Sequence, residues 1–166
     1  MKGVKKLNKQ IQNLFNETVG INLPITLGSD FFYYPNKQKI NFSIAISEQS
    51  DRCFKAFLKN FFNFGIFSSE DLFCVSLLHE IGHYFTYDNI DENTYNESKG
   101  MTQEILELLQ NDPTNDEIYS CYFELPIEIV ATTWAINWIA ENPIQFENLV
   151  TKVSKYLCKF YEKNIG

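Results

Sequence analysis

The 166-residue sequence lacks the features that mark several large classes of proteins. It contains no run of Lys or Arg, and its net charge is -7, so nucleic acid is not an expected partner. No segment reaches the roughly 18 apolar residues that a membrane span requires. The basic N-terminus is not followed by the apolar region of a signal peptide. These absences predict a cytoplasmic protein that binds neither nucleic acid nor a membrane.

The four cysteines form no C-x-x-C pair, the spacing typical of thiol metal sites and redox motifs. Most of them lie in apolar stretches, which predicts reduced thiols in the core at Cys53, Cys74, Cys121 and Cys158. The chain also contains no internal repeat and no low-complexity linker. With 45% hydrophobic residues it is long enough to bury a core without cross-links. We therefore expect one domain over 1–166, of an oligomeric state that the sequence does not indicate.

Histidine is the scarcest residue with metal-binding chemistry, and the chain's two histidines both lie in His79-Glu80-Ile81-Gly82-His83. On a helix, this H-E-x-x-H spacing places two imidazoles on one face, where they can bind one metal ion, with Glu80 as the general base. The apolar neighbours predict an amphipathic helix over about 70–87. Gly82 costs about 1 kcal/mol relative to Ala inside a helix, which predicts that another element packs closely against it. The alternative interpretation is that the two histidines share this spacing by accident.

The hydrophobic pattern predicts an α+β protein in which a small sheet precedes most of the helices. Apolar residues alternate over 40–47, which is typical of a strand with one buried face. Phe31 to Tyr34 is a second candidate strand, and a hairpin loop at 35–38 would make the pair antiparallel. Helices are expected at about 5–19, 51–63, 70–87, 100–110, 117–123, 126–141 and 144–162, with polar connections at 88–98 and 111–116.

A catalytic zinc site requires three protein ligands and one open position, and no third histidine exists to complete it. The best candidate is Glu128, on a helix expected to begin near Pro126. Its face continues with the small residues Ala131, Thr132 and Ala135, so this helix could approach Gly82. Alternatively, Glu128 only complements the dipole at the helix N-terminus. Glu124 is the second candidate, and Glu104 and Glu107 are more distant ones.

The H-E-x-x-H motif and the segment from Glu128 to Ala135 together resemble the gluzincin pattern, in which H-E-x-x-H is followed by an E-x-x-A helix. Compact bacterial and phage-borne metallopeptidases of the repressor-cleaving type have this pattern. The resemblance covers about residues 40–140. It implies a zincin-like core in which His79, His83 and Glu128 bind Zn²⁺ and Glu80 is the base. It also implies that the strand at 40–47 forms the rim of the cleft and binds an extended peptide. Where the family often has Asn or Asp after the Ala, this chain has Thr132.

The expected function is therefore that of a zinc metalloendopeptidase that hydrolyses a peptide bond in a protein substrate. Glu80 would take a proton from the activated water and pass it to the leaving amine. The hydroxyl that stabilises the oxyanion is left open among Tyr84, Tyr87, Tyr95, Tyr119 and Tyr122. One alternative is a non-catalytic regulatory or interaction protein of a mobile element that retains a metal site. Another is a metal-dependent hydrolase of a non-peptide amide.

Overall fold

A computed structural model of the protein, which describes residues 2–45 and 47–164, consists mainly of helices with one small sheet. This composition agrees with the predicted α+β class. None of the described helices is both long and apolar enough to cross a bilayer. The elements are α1 (Lys2–Val19), β1 (Ile25–Leu27), β2 (Phe32–Tyr34), β3 (Lys39–Phe42), α2 (Glu48–Phe62), α3 (Ser69–Thr86), α4 (Glu92–Asn111), α5 (Asp116–Phe123), α6 (Pro126–Glu141) and α7 (Pro143–Asn164).

The sheet has the order β1-β3-β2, so β3 is its central strand. β2 pairs with β3 in antiparallel fashion, as expected, but β1 pairs with β3 in parallel, so the prediction of a purely antiparallel sheet was wrong. β1 itself was not predicted. Its backbone N–H groups at Ile25 and Leu27 donate to the side chains of Gln12 and Asn8 on α1. The strand therefore depends on partners from α1 and from β3, which a local hydrophobic pattern does not reveal.

The strand predicted over 40–47 ends at Phe42. The Ser43 hydroxyl donates to the carbonyl of Ala45 and accepts from its N–H, and this local hydrogen bonding replaces strand pairing. Ile46 lies outside the described residues. Ser47 is the N-cap of α2 and accepts a hydrogen bond from the Ser50 N–H, so the helix begins earlier than predicted.

The polar connection predicted over 88–98 is largely helical, because α4 begins at Glu92. Its N-cap, Asp91, accepts hydrogen bonds from both the N–H and the hydroxyl of Thr94. The first two turns are polar and mostly exposed, so they lack the apolar stripe on which the prediction relied. Capping and the downstream helix stabilise this segment instead.

α3, which carries both histidines, crosses the centre of the molecule and packs most extensively against α6. Every residue from Leu72 to Gly82 is buried, so the helix is not amphipathic as predicted. α7, β2 and β3 also contact it. The thiols are free as expected, but only Cys53 and Cys74 are in the core, and the prediction of core positions for Cys121 and Cys158 was wrong.

Candidate metal centre and cleft

The structure brings the side chains of His79, His83 and Glu128 together on the facing surfaces of α3 and α6. The two Nε2 atoms of the histidines are 3.1 Å apart. Oε2 of Glu128 lies 2.9 Å from Nε2 of His79 and 3.2 Å from Nε2 of His83. Two ring nitrogens and one carboxylate oxygen therefore converge, at the spacing that H-E-x-x-H and the small-residue face of α6 predicted.

Glu80 approaches the same point from the side of the sheet. The ligand atoms of His79, Glu80 and His83 lie within 4.8 Å of one another, so this group could hold a metal ion. However, Oε1 of Glu80 is 3.9 Å from Nε2 of His79, farther than Glu128. The other oxygen, Oε2, accepts a hydrogen bond of 2.7 Å from the backbone N–H of Tyr33 in β2. Glu128 is therefore the closer carboxylate, and Glu80 stands beside the triad with one oxygen held by the sheet.

Thr132 determines which ring nitrogen of His79 carries the proton. Its hydroxyl donates to the backbone carbonyl of Glu128 at 2.8 Å, as side-chain hydroxyls inside helices often do. The same oxygen lies 2.9 Å from Nδ1 of His79 and must accept there, so Nδ1 is protonated. Nε2 of a neutral His79 then presents a lone pair to the triad. This contact with His79 was not predicted from the sequence, because Thr132 stands where the family that the chain resembles often has Asn or Asp.

The donor set fits a bound cation. A neutral His79 and an ionised Glu128 would place two hydrogen-bond acceptors 2.9 Å apart in a buried location. Acceptors at this distance repel one another unless a proton or a metal ion lies between them. The triad therefore requires positive charge, supplied either by protonation of the imidazoles or by a metal ion.

The electrostatics of His83, Glu128 and Glu80 agree with this need for positive charge. Burial opposes the charged form of His83, but the charge of Glu128 and the hydrogen bond to it outweigh burial and raise the pKa of His83. For Glu128, burial favours the neutral acid, but both histidines outweigh it and lower the pKa. Burial raises the pKa of Glu80, although the histidines and the Tyr33 N–H oppose this shift. The shifts of His83 and Glu128 thus favour a charged imidazole beside a charged carboxylate.

The close approach of α6 predicted at Gly82 is confirmed. A Cβ atom placed on Gly82 would overlap the carbonyl oxygen of Ala131 and would lie only 3.0 Å from its carbonyl carbon. Ala131, Thr132 and Ala135 are all fully buried in this contact. The absence of a side chain at Gly82 lets the backbones meet, and this brings Glu128 within reach of the histidines.

The triad opens into a cleft with two lobes, of about 430 Å³ and about 140 Å³. Phe32, Glu80, Tyr122 and Glu128 border both lobes. The larger lobe extends toward α2 and α5, whereas the smaller one is bounded by Tyr87 and the start of α6. The cleft therefore passes over the triad and offers space on both of its sides.

Among the five tyrosines considered from the sequence, Tyr122 lies closest to the chemistry. Its hydroxyl lies near Glu128, and burial together with the charges of Glu128 and Glu80 raises its pKa strongly. Tyr119 borders only the larger lobe and Tyr87 only the smaller one, while Tyr84 and Tyr95 do not line either lobe. Tyr122 therefore presents a neutral hydroxyl beside the triad.

Of the rim predicted at 40–47, Ser43, Ala45 and Ser47 do line the larger lobe, but the free strand edge at the cleft belongs to β2 and not to this segment. β3 is paired on both sides and has no free edge. β2 is paired only with β3, and its Tyr33 N–H points away from β3 toward Glu80. Phe32 on the same strand is 43% exposed.

Comparison of this chain with protein-family models, with curated proteins and with solved structures found no match.

Proposed function

We propose that this protein is a zinc-dependent peptidase in which His79, His83 and Glu128 bind the metal and Glu80 is the general base. The convergence of two Nε2 atoms and one Oε2 atom, with all three separations at 3.2 Å or less, carries the proposal. Tetrahedral zinc with ligand bonds of about 2.0–2.1 Å requires ligand atoms about 3.3 Å apart. The three separations are close to this value, and two nitrogens with one carboxylate oxygen form a donor set that zinc enzymes use.

When bound, zinc would supply Lewis-acid activation of a water molecule and of the substrate carbonyl. Glu80 is arranged for the accompanying proton transfer. The Tyr33 N–H holds Oε2, so Oε1 is the oxygen free to take a proton near the triad. Since burial raises the pKa of Glu80, the protonated carboxyl is a stable carrier that can then protonate the leaving amine.

Tyr122 is the proposed donor to the developing oxyanion. Its raised pKa keeps the phenol protonated at neutral pH, so the O–H can donate throughout the reaction. Tyr122 borders both lobes, where the carbonyl of a peptide crossing the triad would lie.

The edge of β2 supports a peptide as the substrate. An extended chain can bind to an exposed strand edge through backbone hydrogen bonds. β2 is paired only with β3 and lies directly beside Glu80. Its Tyr33 N–H is already taken by Glu80, so the peptide would use the carbonyl groups of this edge, and the exposed Phe32 offers an apolar contact there. A peptide aligned in this way would cross the triad from one lobe into the other.

The test combines metal content with activity. The purified protein should contain one zinc ion per chain and should cleave at least one member of a mixed library of internally quenched peptides. Glu80→Gln should keep its zinc and lose cleavage by at least about 100-fold, the lower end of the usual contribution of a general base. Glu104→Gln, on the exposed surface of α4, is the matched control and should keep both zinc and cleavage.

Absence of zinc from the wild-type protein would remove the basis of the proposal. Zinc binding without any cleavage would instead favour the non-catalytic regulatory alternative.

A further inference from the structure

Most of the basic residues of this acidic protein lie on two helices. Of the 14 Lys and Arg residues, eight are on α1 and α7, and these two helices contain only three glutamates and no aspartate. Eight lysines and three glutamates give α1 and α7 a net charge of +5. Since the whole chain has a charge of -7, the remaining residues carry -12. The protein therefore consists of a basic helix pair and a strongly acidic remainder.

Helical spacing collects the eight lysines into two rows. On α1 they occur at i, i+3, i+4 and i+7, and on α7 at i, i+3, i+7 and i+11, so each set follows one face of its helix. All eight side chains are exposed. No ion pair links any of them to a described residue. The two rows, which we call the lysine face, are Lys2, Lys5, Lys6 and Lys9 on α1 and Lys152, Lys155, Lys159 and Lys163 on α7.

The packing of α1 against α7 brings the two rows together. Lys6 of α1 and Lys159 and Lys163 of α7 line one groove between the helices. The groove has a volume of only about 30 Å³, so it cannot take up a small-molecule ligand. Protein surfaces usually intersperse charges of both signs, and like charges one helical turn apart repel one another. A surface with this concentration of lysines therefore fits an anionic macromolecule that neutralises it from outside.

The type of basic residue favours phosphate groups over the carboxylates of an acidic protein. Interfaces between proteins are enriched in Arg and aromatic residues and depleted of Lys. Lys binds phosphate well as a point charge, without the planar geometry that Arg offers to a carboxylate. The lysine face contains no Arg, because the single arginine of the chain, Arg52, lies on α2 and pairs with Asp116.

The lysine face also lacks the apolar groups that hold a helix in a membrane surface. A helix that lies in a bilayer interface inserts large apolar side chains beside its basic ones. Here the apolar side chains of α1 are buried in the core, and so are Leu149, Val153 and Leu157 of α7. Among the described residues of the two helices, the only large apolar side chains listed by their exposure outside the core are Tyr161 and, before the lysine row begins, Ile144. The phosphates of a nucleic acid therefore match this face better than those of a lipid surface.

We propose that the lysine face binds the phosphate backbone of double-stranded DNA without reading its sequence. At about 1.5 Å per residue, the row from Lys152 to Lys163 extends over about 16 Å, and a duplex carries about ten phosphate charges over this length. Contacts between Lys and phosphate contribute affinity but carry no sequence information. Nucleic acid was not expected as a partner because of the net charge and the absence of a contiguous basic run. Neither property shows how two helices distribute their lysines in space.

The lysine face is separate from the cleft. No described residue of α1 or α7 lines either lobe, so DNA on this face would leave the cleft accessible. The acidic remainder of the protein repels DNA, which restricts the duplex to the lysine face. This inference therefore does not rest on the proposed peptidase function, and either proposal can fail without the other.

The experiment measures the binding of a fluorescein-labelled DNA duplex by fluorescence anisotropy. Four contacts between lysines and phosphates would give the logarithm of affinity a slope of about -3.6 against the logarithm of salt concentration. The affinity of the wild-type protein should therefore fall by at least about 100-fold between about 50 and 200 mM KCl. An AT-rich and a GC-rich duplex of equal length should bind equally well. An affinity that does not change with salt, or no binding at the lower salt concentration, would overturn the proposal.

Paired substitutions locate the binding surface. Lys159→Gln with Lys163→Gln should lower the affinity by at least about 10-fold at the lower salt concentration and reduce the salt slope by about 2. Lys55→Gln with Lys59→Gln removes the same charge at the same spacing from the exposed side of α2 and should leave DNA binding unchanged. Lys159→Arg with Lys163→Arg retains the charge and should also retain binding. Thermal unfolding reports whether each variant is folded.

Further outcomes distinguish DNA from other anionic partners. An equal loss of binding in the two Gln pairs would show general charge attraction and would overturn the assignment to the lysine face. Vesicles that contain phosphatidylserine and a polyglutamate peptide are the probes for a membrane and for an acidic protein. If either binds through Lys159 and Lys163 while the duplex does not, the DNA proposal is wrong. The salt series on the wild-type protein requires no substitution, so it decides even if a variant does not fold.

Discussion

The ring of His79 donates a hydrogen bond from Nδ1 to the hydroxyl of Thr132, with 2.9 Å between the two atoms. The contact joins α3 to α6, and it holds the ring with its Nε2 lone pair toward Glu128. A ligand whose tautomer and orientation are set in advance loses less entropy on metal binding.

Thr132→Val should weaken zinc binding by about 10–100-fold, the usual effect of removing the partner that orients a metal-binding histidine. The substitution keeps the shape of the side chain, so the fold should persist. Thr133→Val is a close control, because the Thr133 hydroxyl also donates to the carbonyl four residues back but is exposed. Competition with a chromogenic chelator measures both variants, and equal affinities would show that Thr132 does not orient the histidine.

Gly82→Ala should destabilise the protein by about 1–3 kcal/mol or more, the cost of inserting a methyl group into a filled contact, despite the better helix propensity of Ala. Gly100→Ala is the counterpart, because a Cβ atom at Gly100 meets no atom within 4 Å. That variant should be stabilised by up to about 1 kcal/mol. Urea unfolding of the two variants provides the measurement. Equal shifts in their unfolding free energies would contradict the close contact at Gly82.

Glu128→Ala should lower the affinity for zinc by at least about 10–100-fold. Removal of a residue that would bind the metal directly should cost more than removal of a residue that only orients such a ligand. Glu124→Ala should bind zinc normally, because Glu124 is exposed at the end of α5. Metal content after dialysis against a weak chelator distinguishes them. Retention of zinc by Glu128→Ala with loss from Glu124→Ala would move the ligand to the earlier glutamate.

Tyr122→Phe should lower kcat by about 100-fold while zinc content stays unchanged, as expected for the loss of one donor to the oxyanion. Tyr84→Phe is the control, since Tyr84 packs against Tyr33 outside both lobes. Steady-state kinetics on a cleaved peptide, together with metal analysis, provides the readout. A loss of zinc in Tyr122→Phe would instead assign the hydroxyl to positioning Glu128.

The metal-free protein should be most stable in mildly acidic solution. The raised pKa of His83 contributes stability that is complete below its unfolded value of about 6.5 and is lost as the pH rises through the folded value. The raised pKa of Glu80 acts in the same direction from about pH 4.3 upward. The lowered pKa of Glu128 contributes stability above about pH 4.3 that is lost in stronger acid.

Urea unfolding in the presence of a chelator, at a series of pH values from about 4 to 9, tests this pH dependence. The unfolding free energy of the metal-free protein should fall between about pH 6 and 9. Zinc-loaded protein should not show this fall, because the bound metal replaces the proton on His83. A metal-free protein whose stability rises over this interval would contradict the assignment.

The sequence predicted α1 well because its hydrophobic period is long and strong, whereas α6 is apolar on most of its sides and was predicted from its start at Pro126 and its face of small residues. It also predicted that His79, His83 and Glu128 would converge, because helical spacing fixes the first two and the small face of α6 indicates how close the third can come. β1 was missed because it has three residues and depends on side chains of α1.

One part of the site required the tertiary structure. Tyr33 contributes a backbone N–H, which every residue except proline has, and the direction of this N–H depends on the register of β2 against β3.

The contact between Gly82 and Ala131 involves backbone atoms of α6 and requires only that one side chain be absent and another be small. The relative position of His79, His83 and Glu128 thus depends on a contact between backbones at Gly82. Because protein cores are close-packed, this contact excludes any larger residue at position 82, whatever the neighbouring side chains are. A search for proteins with the same site should therefore test for this pair of small residues and their geometry rather than for overall sequence similarity.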